Sequence, residues 1–140
     1  MIPLNKWFVK GYRYILRRNM KKVILKIGSH RIIARVAQTK NDRIKGLTSY
    51  KQLPENHGML FVFETLEKHC FWMKNTQIPL SIAFLRNDGT ITKISDMQPY
   101  SLDKHCANQP VRYALEMNQD WFKNNKVNVG KKITNRQYFI

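Results

Sequence analysis

The densest group of chemically capable side chains lies in residues 71–76, FWMKNT, which place an indole, an ammonium, an amide and a hydroxyl within six positions. In an extended chain, alternate side chains point to opposite faces. Trp72, Lys74 and Thr76 then share one face, and Phe71 and Met73 face the core. An indole plane beside an ammonium and a hydroxyl is a suitable floor for a small anionic or sugar-like ligand.

The alternative for this stretch is structural. Trp72 would cover the edge of the core, and Lys74 would lay its aliphatic stem along apolar surface. Asn75 and Thr76 would satisfy backbone groups ahead of Pro79. We keep both interpretations open and take Trp72, Lys74, Asn75 and Thr76 as ligand-binding candidates.

Glu116 lies in the segment with the clearest period-2 alternation of apolar and polar residues, 111–117. That pattern predicts that Glu116 and Arg112 share a polar face and reach Lys74 or Arg43 across a sheet. An acid–base role would require a raised pKa in a cleft. The alternative is an exposed ion pair worth less than about 1 kcal/mol. Arg43 and Glu116 join the ligand-binding candidates, and no residue is assigned as catalytic.

The two cysteines each follow a histidine, as His69-Cys70 and His105-Cys106. Histidine and thiolate are zinc ligands, but neighbours on a strand point to opposite faces, and the chain has no CxxC or HxxxH spacing. We therefore expect no metal site and unpaired cysteines. A Cys70–Cys106 disulfide and a cysteine nucleophile assisted by His57 or His105 are the weaker alternatives.

Local patterns predict a mainly β chain. β-Branched runs at 23–27 and 31–37 flank the turn residues Gly28-Ser29-His30 and predict a hairpin. Thr39 is a predicted helix N-cap, with Asp42 three positions on and the helix reaching Tyr50 before Pro54. The remaining predicted elements are strands at 59–63, 80–86, 90–97, 111–117 and 127–133, a polar loop at 99–110 and a helical turn within 118–125.

Seven or eight short strands with one helix predict a single-domain β-sandwich or closed β-roll over residues 22–140. Residues 1–21 form a basic N-terminal arm. Within it, residues 3–18 show the spacing of a short basic amphipathic helix. The alternatives for this arm are binding to an anionic membrane surface, packing on the domain, disorder, nucleic-acid binding or targeting.

Charge is concentrated at the N-terminus. The formal net charge is +16, and nine of the 25 Lys and Arg residues lie in residues 1–31, which contain no Asp or Glu. Such a chain will bind polyanions at low salt without sequence preference. No recognised nucleic-acid motif is visible. No apolar run reaches 18 residues and no signal-peptide h-region is evident, so we expect a cytoplasmic or membrane-peripheral protein.

Several separated phrases resemble the domain of unknown function 192 family, also called uncharacterised protein family 0127. The phrases are Ala37-Gln38-Thr39, Arg43-x-x-Gly46-Leu47, Gly58-Met59-Leu60-Phe61-Val62-Phe63, Phe71-Trp72-Met73-Lys74-Asn75-Thr76, Ile78-Pro79-Leu80-x-Ile82-x-Phe84, Tyr113-x-Leu115-Glu116 and Gly130. The resemblance implies a compact β-rich domain, common in bacteria and archaea, with no established activity. Many members carry a secretory signal.

The chain departs from the family pattern at three places. Ser81 stands where the family usually has Asp after Pro-Leu. Thr48 and then Tyr50-Lys51 replace Met and Arg, and Gln119-Asp120 stand where a Gly commonly follows Leu-Glu. If the Asp acts as a catalytic acid or ligand in relatives, that role is absent here, which lowers an enzymatic interpretation.

Together these patterns favour a non-catalytic binding or accessory module that uses no cofactor. One form of this hypothesis places the module at the surface of a membrane. The first alternative is an enzyme that acts on a small polar or anionic substrate through Glu116 and Lys74. The second is an electrostatic nucleic-acid binder.

Overall fold

This computed structural model describes residues 20–140 of the chain, which contain ten short helices and strands. The predicted helix at residues 3–18, with most of the basic arm, lies outside the described residues. The elements are β1 (Lys22–Ile27), β2 (His30–Ala37), α1 (Lys40–Lys45), β3 (His57–Glu67), β4 (Cys70–Phe71), β5 (Leu80–Leu85), β6 (Ile91–Met97), β7 (His105–Cys106), β8 (Val111–Asn118) and α2 (Trp121–Asn124).

The predicted hairpin and the predicted helix start are both present. β1 and β2 pair antiparallel around Gly28, whose φ of +56° suits a glycine. The Thr39 hydroxyl caps α1 by accepting a hydrogen bond from the Asp42 amide at 3.0 Å. The helix ends at Lys45 rather than near Tyr50, because Gly46 at φ +46° reverses the chain direction.

Six strands form one open sheet in the order β1-β2-β3-β8-β5-β6, and β4 and β7 form a separate two-stranded sheet. Only the β2–β3 pair of the six-stranded sheet is parallel; the others are antiparallel. The mainly β single-domain prediction is confirmed. Within residues 20–140 the sheet does not close into a barrel, since β1 and β6 remain as its edges.

Both faces of the large sheet are covered. One apolar cluster contains Leu25, Leu60, Leu115 and Phe122, and a second contains Phe61, Met73, Ile82 and Phe84. Each such fully buried side chain contributes about 1.5–3 kcal/mol relative to exposure. All six residues of β5 are buried because this strand lies inside the sheet with a core on each side.

The prediction that Arg112 and Glu116 share a polar face of β8 is wrong. Arg112 is exposed, but Ala114 and Glu116 are buried, so the predicted polar face lies largely beneath the second apolar cluster. Two other boundaries differ. β3 continues through the charged residues to Glu67, and the predicted last strand is reduced to isolated bridges at Lys132 and Thr134.

Cys70 and Cys106 form a disulfide between β4 and β7, with Cα atoms 4.0 Å apart. The expectation of unpaired cysteines is wrong. The two residues face each other in register, in strands only two residues long. Strands this short leave no periodic signal, and β7 lies within the segment predicted as a polar loop, 99–110.

Among residues 20–140, no helix has the length and apolar character needed to cross a bilayer.

Candidate functional site

A pocket of about 390 Å³ opens between α1, the middle of β3 and the segment that follows β4. It lies over the sheet face that holds the second apolar cluster. Its lining combines an aromatic and apolar wall with basic side chains and one acid. The lining residues are Lys40, Arg43, Ile44, Lys45, Gly46, Leu47, Thr48, Phe61, Phe63, Cys70, Phe71, Trp72, Met73, Lys74, Thr76, Leu80 and Glu116.

Residues 71–76 form one wall of this pocket, but not as an extended strand. The chain turns at Lys74 and Asn75, and Asn75 adopts φ +57°. The Thr76 amide donates to the Met73 carbonyl at 3.1 Å across this turn. The strict alternation of faces predicted from the sequence is therefore wrong after Met73: Thr76 is buried, and Asn75 is exposed and does not line the pocket.

The wall is fixed by backbone hydrogen bonds to the following loop. The Met73 amide donates to the Ser101 carbonyl, and the Tyr100 amide donates to the Thr76 carbonyl, both at 3.0 Å. Trp72 is half exposed, and the Lys74 ammonium lies 5.3 Å from the centre of its indole. An exposed indole beside a cation can stack on a flat ligand that carries an acidic group.

Arg43 projects from α1 into a ring stack on the opposite wall. Its guanidinium donates to the carbonyls of Gln38 and Val62, the latter at 3.1 Å, and lies 5.3 Å from the centre of the Phe63 ring. The imidazole of His69 stacks on Phe63 with centroids 3.6 Å apart. Arg43 is thus held in place by backbone carbonyls, and among residues 20–140 it has no carboxylate partner, so its charge remains available at the rim.

Glu116 lies on the floor, on β8 between Met59 of β3 and Ile82 of β5. Its side chain is buried, and burial raises the pKa of its carboxyl from 4.5 to about 8. Among the described residues it has no hydrogen-bond or ion-pair partner. Among the described residues, every fully buried side-chain nitrogen or oxygen atom has a hydrogen-bond partner. Because the carboxyl of Glu116 has no partner, its oxygen atoms must reach the pocket space.

The charges of the pocket are segregated. Four cations line it (Lys40, Arg43, Lys45 and Lys74), yet desolvation is the sole cause of the raised pKa of Glu116. A guanidinium or ammonium within about 4–6 Å would favour the ionised carboxylate. The cations therefore stand away from Glu116, which leaves a neutral acid on the floor near pH 7 and positive charge at the rim.

Comparison with known proteins places the chain in a family. A profile of the DUF192 family, described as "Uncharacterized ACR", matches residues 23–135. The chain belongs to the DUF192 family. This match confirms the resemblance seen in the phrases between residues 37 and 130. No curated protein matches the chain significantly.

Two crystal structures share the DUF192 fold seen here. One, from Sinorhizobium meliloti 1021, is named as a candidate transcription regulator; it is 30% identical, with a TM-score of 0.80 over 82% of this chain and 94% of that chain. The other is a protein of unknown function from Novosphingobium aromaticivorans DSM 12444. It is 28% identical, with a TM-score of 0.76 over 82% of this chain and 84% of that chain.

The departure of this DUF192 chain at Ser81 lies away from the pocket. Ser81 follows Leu80 on β5 and faces the other side of the sheet, where its hydroxyl donates to Asp96 at 2.7 Å. The same hydroxyl accepts from the Asp120 amide at 3.0 Å. Ser81 thus ties β5 to β6 and to the start of α2, and its identity does not bear on Glu116.

Five of the six candidates from the sequence (Arg43, Trp72, Lys74, Thr76 and Glu116) line one pocket, and Asn75 does not. Lys40, Lys45, Phe61 and Phe63 also line the pocket, although the sequence patterns did not identify them as site residues. The available signal was the helix period: Lys40 and Arg43 are three residues apart and therefore lie on one side of α1.

Proposed function

We propose that this protein is a binding module for a small anionic ligand, such as a sugar phosphate, that has a flat face to stack on an indole. The observation that carries the proposal is the pocket itself, in which basic side chains surround a half-exposed indole. Its volume of about 390 Å³ lies within the usual range for small-molecule sites, about 300–1,000 Å³.

The side chains at the rim supply complementary contacts for such a ligand. The Lys74 ammonium already lies 5.3 Å from the centre of the Trp72 indole, so a ligand stacked on the indole would bring an acidic group next to the ammonium. Arg43 is oriented by two carbonyls and keeps further N–H groups for a carboxylate or phosphate. Four cations at one opening also raise the local concentration of anions.

Calorimetric titration with inorganic phosphate, a sugar phosphate and the corresponding neutral sugar tests the proposal. We expect the sugar phosphate to bind best, and Lys74→Gln to weaken it by about tenfold, since a charge-assisted contact of about 1.4 kcal/mol is lost. Lys123→Gln is the matched control, because Lys123 is an exposed lysine on α2 away from this pocket. Equal affinities of the two variants would overturn the assignment of the site.

A second candidate function is catalysis on a small polar or anionic substrate through Glu116 and Lys74. The supporting observation is the carboxyl of Glu116, whose raised pKa keeps a proton available near neutral pH inside a pocket. A general acid of this kind predicts that Glu116→Gln retains ligand binding but loses turnover. Product formation that is equal in the wild type and Glu116→Gln would exclude this role.

Electrostatic nucleic-acid binding is a weaker candidate. It is supported by the net charge of +16 and by the description of the Sinorhizobium meliloti relative as a candidate transcription regulator. An electrostatic binder of this kind would lose affinity steeply with salt and show no sequence preference.

A further inference from the structure

The acid on the floor of the pocket is not explained by an anionic ligand alone. Glu116 is buried between two strands and has no partner among the described residues. A buried carboxyl without a hydrogen bond carries a desolvation cost, and unpartnered buried acids are rare for that reason. An anion placed above it would add repulsion whenever the carboxyl ionised.

Among the described residues, the basic side chains of the rim do not form ion pairs with Glu116. The guanidinium of Arg43 is bound to the carbonyls of Gln38 and Val62, and the ammonium of Lys74 lies over Trp72. The cause of the raised pKa of Glu116 is burial, with no contribution from these cations. The pocket therefore presents two separate recognition elements, an acid below and positive charge above.

We propose that the ligand of this pocket is zwitterionic: its cationic group binds Glu116 on the floor, and its acidic group binds the basic rim. This inference rests on the proposed function, which it narrows to one class of ligand. The shared chemistry is an ammonium or substituted ammonium joined by a short linker to a carboxylate or phosphate.

The walls suit a cationic group as well as the floor does. Phe61, Phe63, Phe71 and Trp72 all line the pocket, and Phe61 and Phe71 pack edge to face with centroids 4.9 Å apart. Aromatic faces attract ammonium groups, and such sites commonly bind substituted ammonium ligands. A carboxylate beneath an aromatic wall adds the compensating charge that a desolvated cation needs.

Occupation of the floor by a cation predicts release of a proton. In the free protein, burial holds the carboxyl of Glu116 protonated at pH 6.5, because its pKa is about 8. A cation in contact favours the carboxylate and lowers that pKa, so binding must release about one proton. The other charged groups that line the pocket are Lys40, Arg43, Lys45 and Lys74, and the imidazole of His69 is stacked on Phe63.

Matched ligand pairs provide the test. The probes are ω-amino acids of two to six carbons, each compared with the straight-chain carboxylic acid of the same length, titrated into the full chain at pH 6.5. Calorimetry in two buffers of different ionisation enthalpy gives the number of protons released. Phosphoethanolamine and vesicles of phosphatidylethanolamine or phosphatidylglycerol form a second arm, which distinguishes a free metabolite from a lipid headgroup.

The expected result is that one ω-amino acid, or phosphoethanolamine, binds at least about tenfold more tightly than its partner without the amino group. About one proton is released on binding. In Glu116→Gln both the preference and the proton release disappear, while the release is retained in His69→Gln. Binding to phosphatidylethanolamine vesicles but not to soluble probes would assign the same chemistry to a lipid headgroup.

Three outcomes contradict the inference. Equal binding of amino acid and plain acid, without proton release, overturns the zwitterion and leaves the anion-binding function intact. Proton release that persists in Glu116→Gln removes the residue from the site. Failure of every probe to bind, at concentrations that saturate a weak site, overturns the proposed function together with the inference.

Discussion

At the scale of single residues, Glu116 is the most consequential side chain of the described chain. It lies on a central strand, between Met59 and Ile82, where an apolar residue would pack without cost. Keeping an acid there raises its pKa to about 8 and so favours the neutral form in the folded protein. The cost of that placement has a measurable dependence on pH.

Glu116 should make folding less stable as pH rises. The folded-state pKa of about 8 lies above the ordinary value of 4.5, so between these values the folded protein holds a proton that the unfolded chain releases. The free energy of unfolding therefore falls between about pH 4.5 and pH 8 and levels off outside that window. Denaturant unfolding of Glu116→Gln should lack this fall, and the two proteins should differ most above pH 8. Parallel pH profiles would contradict the raised pKa.

The sequence predicted that Glu116 belongs to the site but did not predict that it is buried. The residue types identified Glu116, Arg43, Trp72, Lys74 and Thr76 as candidates, because acids, cations and an indole are informative whatever the fold. The burial of Glu116 could not be predicted, since Arg112, Ala114 and Glu116 show the spacing of an exposed face. A second layer covers that face, and period-2 alternation does not reveal such a layer.

At the scale of elements, the site depends on the turn at Lys74 and Asn75 and on the small β4–β7 sheet. The turn buries Thr76 and leaves Asn75 outside the pocket. The disulfide joins β4, where residues 71–76 begin, to β7 in a loop that otherwise has little regular structure. Both features are local, and neither has a periodic signature that the sequence could show.

Reduction of the Cys70–Cys106 disulfide should destabilise the domain. It closes a loop between residues 36 positions apart, and a bridge over a loop of this size contributes about 4 kcal/mol. The urea midpoint of the wild type should fall when a reductant is added. The double variant Cys70→Ser/Cys106→Ser is the control, because reductant cannot change its midpoint. A wild-type midpoint that ignores reductant would show that the bridge adds no stability.

Gly58 allows β3 to lie close to β8 next to Glu116. A Cβ at this position would come within 2.4 Å of the Met117 sulfur and 2.5 Å of the Glu116 carbonyl oxygen. Gly58→Ala should therefore cost about 2 kcal/mol or more, as expected of an overpacked core. Gly28→Ala is the comparison, because nothing lies within 4 Å of its Cβ and only the positive φ is strained, at about 1 kcal/mol. Equal unfolding free energies for the two variants would contradict the close approach.

At the scale of the whole molecule, the sequence predicted the mainly β architecture but not that the six-stranded sheet stays open. The β-branched runs at 23–27 and 31–37 predicted the β1–β2 hairpin, and the apolar alternation at 111–117 predicted β8. Whether six strands close or remain open depends on which edges meet, and here β1 and β6 stay apart. The parallel β2–β3 pair is a long-range choice that local patterns leave open.

The basic N-terminal arm should govern contacts with anionic surfaces. Much of the excess charge lies in residues 1–31, so a chain that begins at Lys21 should float less with anionic liposomes than the full chain. Equal flotation of the two would remove the membrane role. Binding of either protein to nucleic acid should vanish by about 0.2 M salt if it reflects charge alone. Retained, sequence-dependent binding at that salt concentration would favour a regulator of transcription.

The most direct test of the site is a titration of the Glu116 carboxyl carbon by NMR, with Glu116→Gln used to assign its signal. An unpartnered acid on an apolar floor predicts a midpoint of about 8 in the free protein. A cationic ligand group that occupies the floor should lower this midpoint. A midpoint near 4.5 in the free protein would contradict the account, because it would mean that the carboxylate is solvated or paired and that the pocket does not present a neutral acid.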